Sequence, residues 1–325
     1  MIREKRPRRI FHGTSFRRSR VHSLLHGIAG RTLRGDGPYR ALRNGKNMNT
    51  VIHPYTHRAS IVITCRNSAL YIERALKSAV DSILAHTGNG KDAPEAFRIV
   101  TVDDASTDDT PDRIAAFAAA SPVEVVSIRH TDNLGASAGR NDGASHGRPQ
   151  YLFFLDHDDE FLPHHVGLCL NALDRASQVG FVRTGVELTD PVHPDWHAAI
   201  GNTVVINLCV RIECHRFIGG FSRDPNLLTL RIEDVLYSSL LSEAFQHLRT
   251  DQPTVRHYRI PGNMFDRQYE RFTQPPEAGI DVLTEAEEAL SPLVFSRHEW
   301  ALALTRHRVK LLSRCFRSDR PDQPA

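Results

Sequence analysis

Three carboxylates are crowded into the segment FLDHDD at residues 154–159. Asp156, Asp158 and Asp159 follow a short apolar run, which predicts a strand that delivers negative charge to the carboxyl edge of a sheet, where open α/β folds bind ligands. Carboxylates this close repel one another unless a cation lies among them, and hard divalent ions prefer oxygen ligands. The segment therefore predicts a metal-assisted site, although acids at a strand end can also act as helix caps.

A second acidic strand end, VTVDDAS at residues 100–106, lies earlier in the chain. In an open α/β sheet the ligand occupies the crevice outside the carboxyl ends of the strands. Two acid-tipped strands in one α/β unit therefore indicate a metal-assisted site for a phosphate-bearing substrate.

The elements that must hold these acids alternate between strands and helices. Strands are predicted at residues 60–64, 97–102, 123–128, 151–155, 180–184, 203–210 and 255–258. Helices are predicted at residues 72–83, from 110 onward, and at 136–145, 163–176 and 233–245. Near-continuous apolar strands separated by helices predict an α/β fold of the Rossmann-like type, in which helices flank a mostly parallel sheet on both faces.

The composition is that of an ordinary soluble protein, with 40% hydrophobic and 24% charged residues in a chain of 325. The five cysteines are scattered and form no C-x-x-C pair, which argues against a zinc site and a disulfide framework and favours a reducing compartment. No apolar run approaches the ~18 residues of a membrane-spanning helix. We therefore predict a cytoplasmic protein that is soluble or, at most, peripheral.

The N-terminal stretch differs in charge from the rest of the chain. Residues 1–47 contain 13 Lys or Arg against two acids, Glu4 and Asp36. We predict that residues 1–58 form a basic, disordered extension, or that the working chain begins at Met48. An organelle transit peptide and a nucleic-acid-binding tail are the alternatives, and no nucleic-acid partner is predicted.

The C-terminal stretch from Trp300 to Arg320 combines apolar and basic side chains. Its apolar members are Trp300, Leu304, Leu311, Leu312, Cys315 and Phe316, and six basic residues accompany them against one acid, Asp319. A helix of this kind can pack its apolar side on the domain, which is the favoured prediction. The alternative is peripheral contact with the inner face of a membrane through that helix.

Several motifs occur in one order along the chain: SIVITCRN, VDDASTDDT, NLGASAGRNDG, FLDHDD, and GGF followed by RIEDVL. Together they strongly resemble the family-2 glycosyltransferases, the inverting nucleotide-sugar enzymes of the GT-A fold, over residues 60–264. The resemblance implies a GT-A domain at residues 59–275, with a nucleotide-binding half at 59–160 and an acceptor half at 161–275. A helical C-terminal segment is predicted at residues 276–325.

The first strand and the VDD motif supply the nucleotide side of the implied site. Thr64, Arg66 and Asn67 match the positions where the family contacts the nucleoside. Asp103 or Asp104 can accept a hydrogen bond from a base edge, although the acids of this motif can instead cap the next turn.

Two more nucleotide contacts are implied by NLGASAGRN. Gly135 and the small residues beside it let the backbone approach a ligand closely. Arg140 can neutralise phosphate, and it can also form a salt bridge to the acidic cluster.

The resemblance assigns the metal to an Asp-x-Asp motif, which falls on Asp156 and Asp158. It implies Mn²⁺ or Mg²⁺ as cofactor, with Asp158 as the direct ligand and Asp156 on the ribose or a metal-bound water. Asp159 is expected to cap the helix near residue 163 or to support the metal shell.

The same resemblance places the catalytic base in RIEDVLYSSLL. An inverting transfer must remove the proton of the acceptor hydroxyl as the new bond forms. Asp234 matches the family's base, and Glu233 directly precedes it. The alternative role is charge stabilisation of the helix start.

Two downstream features are weaker. In HYRIPGNM, His257 or Arg259 can reach a diphosphate, or both can lie in an exposed turn. The sequence Gln268-x-x-Arg271-Phe272 resembles the Q-x-x-R-W motif of processive polysaccharide synthases, but Phe replaces Trp. We interpret it as a coincidence on a helix surface, which favours one sugar addition per encounter.

The resulting hypothesis is a metal-dependent inverting glycosyltransferase acting on a nucleotide sugar, with a UDP-sugar favoured over dTDP and GDP donors. The acceptor is a hydroxyl on a glycan, a lipid carrier or another molecule. A sugar-phosphate nucleotidyltransferase would need a Gly-rich basic loop after the first strand, and TCRNSALY is not one. A non-catalytic nucleotide-sugar-binding or scaffold protein would lack the metal acids or the base.

Overall fold

The computed structural model describes residues 55–88, 90–278 and 283–315. Within these ranges the chain forms one eight-stranded sheet in the order β3-β2-β1-β4-β7-β6-β8-β5. The strands are β1 (His57–Cys65), β2 (Phe97–Asp103), β3 (Glu124–Arg129), β4 (Pro149–Asp156), β5 (Glu160–Phe161), β6 (Phe181–Leu188), β7 (Leu208–Arg211) and β8 (His247–His257). Residues 1–54, on which most of the predicted N-terminal extension falls, lie outside the described residues.

The sheet is parallel on one side and mixed on the other. Strands β3, β2, β1 and β4 run parallel. Strand β7 is antiparallel to both β4 and β6, β6 is parallel to β8, and β5 is antiparallel to β8. The predicted α/β fold is confirmed, and the apolar pattern did not predict the antiparallel direction of β7 or the short antiparallel strand β5.

Helices cover both faces of the sheet and extend to the C-terminus. Those in the described residues are α1 (Ile72–Thr87), α2 (Thr110–Ala120), α3 (Ala136–Ser145), α4 (His165–Arg175), α5 (Pro194–Thr203), α6 (Ile212–Ile218), α7 (Leu227–Leu230), α8 (Glu233–Ala244), α9 (Met264–Arg267), α10 (Tyr269–Phe272) and α11 (Glu285–Cys315). The helical C-terminal extension is therefore confirmed as far as residue 315.

Alternating side chains of the central strands fill two cores. On one face Ile61 and Phe153 pack with α1 and α4. On the other face Phe154 packs with Tyr237 of α8. This second core fixes the position of α8, whose first turn carries the acids of the RIEDVL motif.

The strand predicted at residues 203–210 is wrong in its first half. Helix α5 ends at Thr203, and strand pairing begins only at Leu208. Between them the buried Asn207 amide donates to the carbonyl oxygens of Thr184 (2.7 Å) and Gly201 (2.8 Å). These side-chain bonds replace part of the ladder that the apolar residues predicted.

Candidate active site

The acid-tipped ends of β2 and β4 lie on either side of β1 at the carboxyl edge of the parallel half. Thr64 pairs in register with Asp156 of β4, and Cys65 pairs with Asp103 of β2. The predicted meeting of the two acidic motifs at one sheet edge is what the structure shows. The Nδ1 atom of His157, the residue between the two acids, lies 3.3 Å from the carbonyl oxygen of Thr64.

Arg140 of α3 connects the two functional halves of this edge. Its Nη2 atom donates to Oδ1 of Asp156 (2.7 Å), while Nη1 donates to Oδ1 of Asp234 (2.7 Å) and Oε1 of Glu233 (3.1 Å). The Arg140 side chain is only 4% exposed. The salt bridge that the sequence left as an alternative is therefore present, and it joins three carboxylates to one guanidinium.

This arrangement sets the charge of the acids. Burial, opposed by Arg140 and reinforced by the charges of Glu233 and Asp156, raises the pKa of Asp234 to about 7. Burial also opposes ionisation of Asp156, but Arg140 outweighs it and holds the pKa of Asp156 below its usual value. Asp156 is therefore held as an anion, while Asp234 exchanges a proton near neutral pH.

Asp234 is placed to accept that proton from outside the protein. Arg140 donates a hydrogen bond to Oδ1 of Asp234, and Oδ2 of Asp234 makes no hydrogen bond within the described part of the chain. The side chain of Asp234 is 23% exposed, whereas that of Glu233 is 13% exposed. Both acids lie in the first turn of α8, where the helix dipole favours negative charge.

Asp158 and Asp159 point to different partners. Asp158 is 7% exposed, and its Oδ2 accepts a hydrogen bond from Nδ2 of Asn263 (3.0 Å). Asp159 is fully buried and accepts from Nδ1 of His257 (2.8 Å) and the backbone N–H of Tyr258 (2.9 Å). The expectation that Asp159 caps the helix near residue 163 is therefore wrong, because its carboxylate instead binds the downstream segment.

His257 belongs to the acidic cluster. Burial opposes its charge, but Asp159, Asp158 and Asp156 together raise the pKa of His257 to about 9. It is therefore an imidazolium at neutral pH that offsets part of the negative charge of the DHDD segment.

The acids of the VDD motif accept hydrogen bonds from backbone N–H groups of nearby loops. Asp104 accepts hydrogen bonds from the backbone N–H groups of Leu134 (2.8 Å) and Gly135 (2.7 Å), and its Oδ1 lies 2.8 Å from Nδ1 of His130. Asp103 accepts from the N–H of Ser106 (3.1 Å), so Asp103 is the member that caps the following turn.

The segment after β1 is tied to the same loop. Asn67 has a positive φ of 49°, its N–H donates to Oγ of Ser106 (2.8 Å), and its Oδ1 accepts from the N–H of Thr107 (2.8 Å). Arg66, directly before it, is exposed. These contacts bring the two predicted nucleotide-side segments together, with Arg66 facing solvent.

Gly135 ends the turn before α3 with a φ of 85°. A Cβ atom there would lie 2.6 Å from Cδ2 of Leu228. In this structure the side chain of Leu228 therefore packs against Gly135, in the space that a larger residue would fill.

The GGF loop is part of the second core. The Asn141 side chain donates to the carbonyl of Phe221 and accepts from its N–H, both at 2.9 Å. The Phe221 ring stacks on Tyr237 with centroids 3.9 Å apart. Sequence reasoning missed Asn141, although it directly follows Arg140, and it missed Asn263, which lies inside the HYRIPGNM segment.

Arg259 and the Gln268-x-x-Arg271-Phe272 sequence lie in packed contacts. Arg259 pairs with Asp266 (2.9 Å) and Asp190 (3.4 Å). The Arg271 guanidinium lies 4.6 Å from the ring centroid of Trp196 in α5. Gln268 is 9% exposed and Phe272 packs on Trp196, so this segment lies in a packed contact with α5 and not on a free helix surface.

The fold and the acid-lined sheet edge define a GT-A nucleotide-sugar transferase domain. Residues 60–223 match the family model described as glycosyl transferase family 2. The chain belongs to this family and carries its enzyme domain, which confirms the resemblance read from the five motifs.

Two curated relatives share part of the chain. The succinoglycan biosynthesis protein ExoU of Rhizobium meliloti is 32% identical over 170 residues, which is 52% of this chain and 40% of that protein. An uncharacterized glycosyltransferase of Nostoc is 29% identical over 123 residues, 38% of this chain and 35% of that protein. The matched region thus spans less than half the length of either relative.

A solved structure shares the fold over most of the chain. S. aureus TarS in complex with UDP superposes with a TM-score of 0.51 at 14% identity, covering 82% of this chain and 93% of that chain. At this identity the likeness concerns the fold alone. Within the described residues, no helix is long and apolar enough to cross a bilayer.

Proposed function

We propose that this chain is a metal-dependent inverting glycosyltransferase with Asp156 and Asp158 at the metal and Asp234 as the base. The observation that carries the proposal is the Arg140 bridge, which joins Asp156 at the sheet edge to Asp234 at the start of α8. One buried guanidinium thereby fixes the donor-side acid and the proton acceptor relative to each other.

The residues at the sheet edge fit a hard divalent cation. Oδ2 of Asp156 and Oδ1 of Asp158 make no hydrogen bond within the described residues, and carboxylate oxygens are the ligands that Mg²⁺ and Mn²⁺ prefer. No group of three His, Cys, Asp or Glu forms a cage among the residues described. Mg²⁺ is commonly held by one or two carboxylates plus substrate phosphates, and this pair of acids suits that mode. The ion would offset charge on the departing diphosphate.

The chain's own groups supply the proton chemistry. The acceptor oxygen forms a bond to the anomeric carbon as the bond to the diphosphate oxygen breaks, and the hydroxyl proton passes to Oδ2 of Asp234. Arg140 stays on Oδ1 and orients the carboxylate. A base with a pKa of about 7 is suited to work near neutral pH.

A UDP-sugar is the proposed donor, and the support is the shared fold with TarS, whose structures were determined with UDP and UDP-GlcNAc. The proposed acceptor is a hydroxyl of a growing glycan, supported by the relative named for succinoglycan biosynthesis. We propose one addition per encounter, because Phe272 replaces the Trp of the processive motif and packs on Trp196. A cytoplasmic location is supported by the buried free thiols of Cys65, Cys169, Cys209 and Cys214 in the described part of the chain.

The test is a donor-hydrolysis screen across UDP-, dTDP- and GDP-sugars with Mn²⁺, with Mg²⁺ and with chelator. We expect metal-dependent release of one nucleoside diphosphate, and we expect Asp158→Ala to abolish it. Arg98→Met, which removes a surface ion pair with Glu124, is the control. A screen in which no donor is hydrolysed, or in which chelator has no effect, would contradict the proposal.

A further inference from the structure

The C-terminal helix α11 has two separate faces. Its inner face packs on the domain through Val294, His298 and Thr305, each at most 5% exposed. On the outside, four large apolar side chains keep a high exposed fraction: Leu293 (46%), Trp300 (68%), Leu304 (41%) and Leu311 (46%).

These four side chains form one stripe. They are spaced 7, 11 and 18 residues from Leu293, and a helix with 3.6 residues per turn returns to nearly the same direction at each of these intervals. The stripe is about 27 Å long at 1.5 Å per residue. We call Leu293, Trp300, Leu304 and Leu311 the outer stripe.

Contacts on the other faces hold the helix in place. Oγ of Ser239 in α8 lies 2.6 Å from Nε2 of His298, Arg306 pairs with Glu243 (2.9 Å), and Arg297 pairs with Asp224 (2.6 Å). The sequence favoured a helix that buries its apolar residues on the domain. The structure shows that packing on the inner face, but Trp300, Leu304 and Leu311 lie outside it.

The charges beside the outer stripe are basic. Between residues 293 and 312 there are four Lys or Arg and one acid, Glu299. Two of these four, Arg297 and Arg306, pair with acids of the domain. Among the residues described, Arg308 and Lys310 make no ion pair with a carboxylate, and the Arg308 guanidinium lies 4.6 Å from the ring centroid of Phe217. Further along the sequence come Arg314, Arg317 and Arg320 against Asp319. A row of apolar side chains with basic neighbours is complementary to an interface of anionic headgroups above acyl chains.

We propose that the outer stripe docks the enzyme on an anionic lipid surface, with α11 lying in the plane of the interface. A second copy of the chain fits less well. Four partly exposed side chains offer on the order of a few hundred Å², whereas each partner of a standard interface contributes about 800 Å².

Docking through α11 would place this helix between the lipid surface and α8. The inner face of α11 packs on α8, the helix that begins with Glu233 and Asp234. Lipid binding itself does not depend on the proposed donor chemistry. Only its use, which is access to an acceptor carried by a lipid, rests on the proposed function.

Vesicle co-sedimentation of the full chain tests the proposal, using phosphatidylcholine vesicles with and without phosphatidylglycerol at low and high salt. We expect sedimentation with anionic vesicles at low salt. The triple variant Trp300→Ser, Leu304→Ser, Leu311→Ser should lower the partition coefficient ~10-fold or more, because each change removes apolar area from the interface. The double variant Arg308→Gln, Lys310→Gln should lower it on the order of tenfold and reduce the salt dependence.

Matched controls distinguish docking through the outer stripe from nonspecific vesicle binding and from a loss of folded structure. Leu70→Ser and Leu248→Ser remove side chains that are 83% and 38% exposed elsewhere on the surface, and they should sediment like the wild type. Donor hydrolysis in solution and circular dichroism should be unchanged in every variant. A full chain that stays in solution with anionic vesicles at low salt would overturn the proposal. So would a triple variant that sediments as well as the wild type, or light scattering that shows a stripe-dependent dimer without vesicle binding.

Discussion

Replacing Arg140 by Met tests the buried bridge on which the site is built. The substitution keeps much of the side-chain volume but removes the guanidinium that hydrogen-bonds Asp156, Glu233 and Asp234 together. The three carboxylates then lie close to one another, without the cation that offsets their repulsion.

The expected loss of stability is large. Removing one partner of a buried ion pair costs about 3–5 kcal/mol. The side chains of Asp156 and Asp234 are 25% and 23% exposed, so solvent relieves part of the repulsion between the carboxylates. We therefore expect a loss of about 3 kcal/mol at pH 7, a large share of the 5–15 kcal/mol that typical domains possess.

The loss should shrink as the pH falls. Without Arg140, the pKa of Asp156 should rise above its unfolded value, and that of Asp234, which is already above its unfolded value, should rise further. A carboxyl pKa raised by folding costs stability above the unfolded pKa, and this cost disappears as protons bind at lower pH. Burial already raises the pKa of Asp234 to about 7 in the wild type, so relief should begin near neutral pH and grow towards pH 5.

Urea denaturation at pH 7 and pH 5 measures both effects. Arg98→Met is the matched control, because its 2.7 Å pair with Glu124 is solvent-exposed and should contribute about 0–1 kcal/mol. If Arg140→Met unfolds within about 1 kcal/mol of the wild type at pH 7, the bridge does not offset repulsion in the way described.

Three further predictions concern the base, the GGF loop and pH. Asp234→Asn should retain donor binding while transfer falls by ~10² or more; an unchanged transfer rate would assign the base to Glu233 or another group. The same variant should be more stable than the wild type above pH 7, by about 1–2 kcal/mol after solvent screening, because a carboxyl pKa raised to about 7 costs stability as the pH rises; equal urea midpoints at pH 8 would contradict this. Gly220→Ala should lose more stability than Gly219→Ala, because both positions have positive φ but only at Gly220 would a Cβ atom meet another residue, Oδ1 of Asn141, at 2.4 Å; equal melting temperatures would show that the loop adjusts.

The parts of the fold that follow from local pattern could be predicted. The apolar runs before Asp103 and Asp156 end at those acids. A buried strand is apolar along its length, and polar residues follow where it reaches the edge of the sheet. Helix α8 begins at Glu233, within a first turn that is rich in acid. Each of these features depends on neighbours within a few positions of the sequence.

The contacts that assemble the site could not be predicted in the same way. Arg140 and Asp234 are 94 positions apart, and Asp158 and Asn263 are 105 apart, so their pairing depends on how α8 and the HYRIPGNM segment pack on the sheet. The start of β7 was misplaced for a related reason. The Asn207 side chain donates to two backbone carbonyl oxygens, whereas the apolar pattern predicts that strand pairing satisfies the backbone in this segment.

Calorimetric titration of UDP into the full chain tests whether Asp156 and Asp158 hold a metal ion at the donor site. Affinity should rise when Mn²⁺ or Mg²⁺ is present, and Asp158→Ala should lose this gain while Arg98→Met keeps it. Equal UDP binding with and without metal in the wild type would contradict the assignment of Asp156 and Asp158, and with it the proposed donor site.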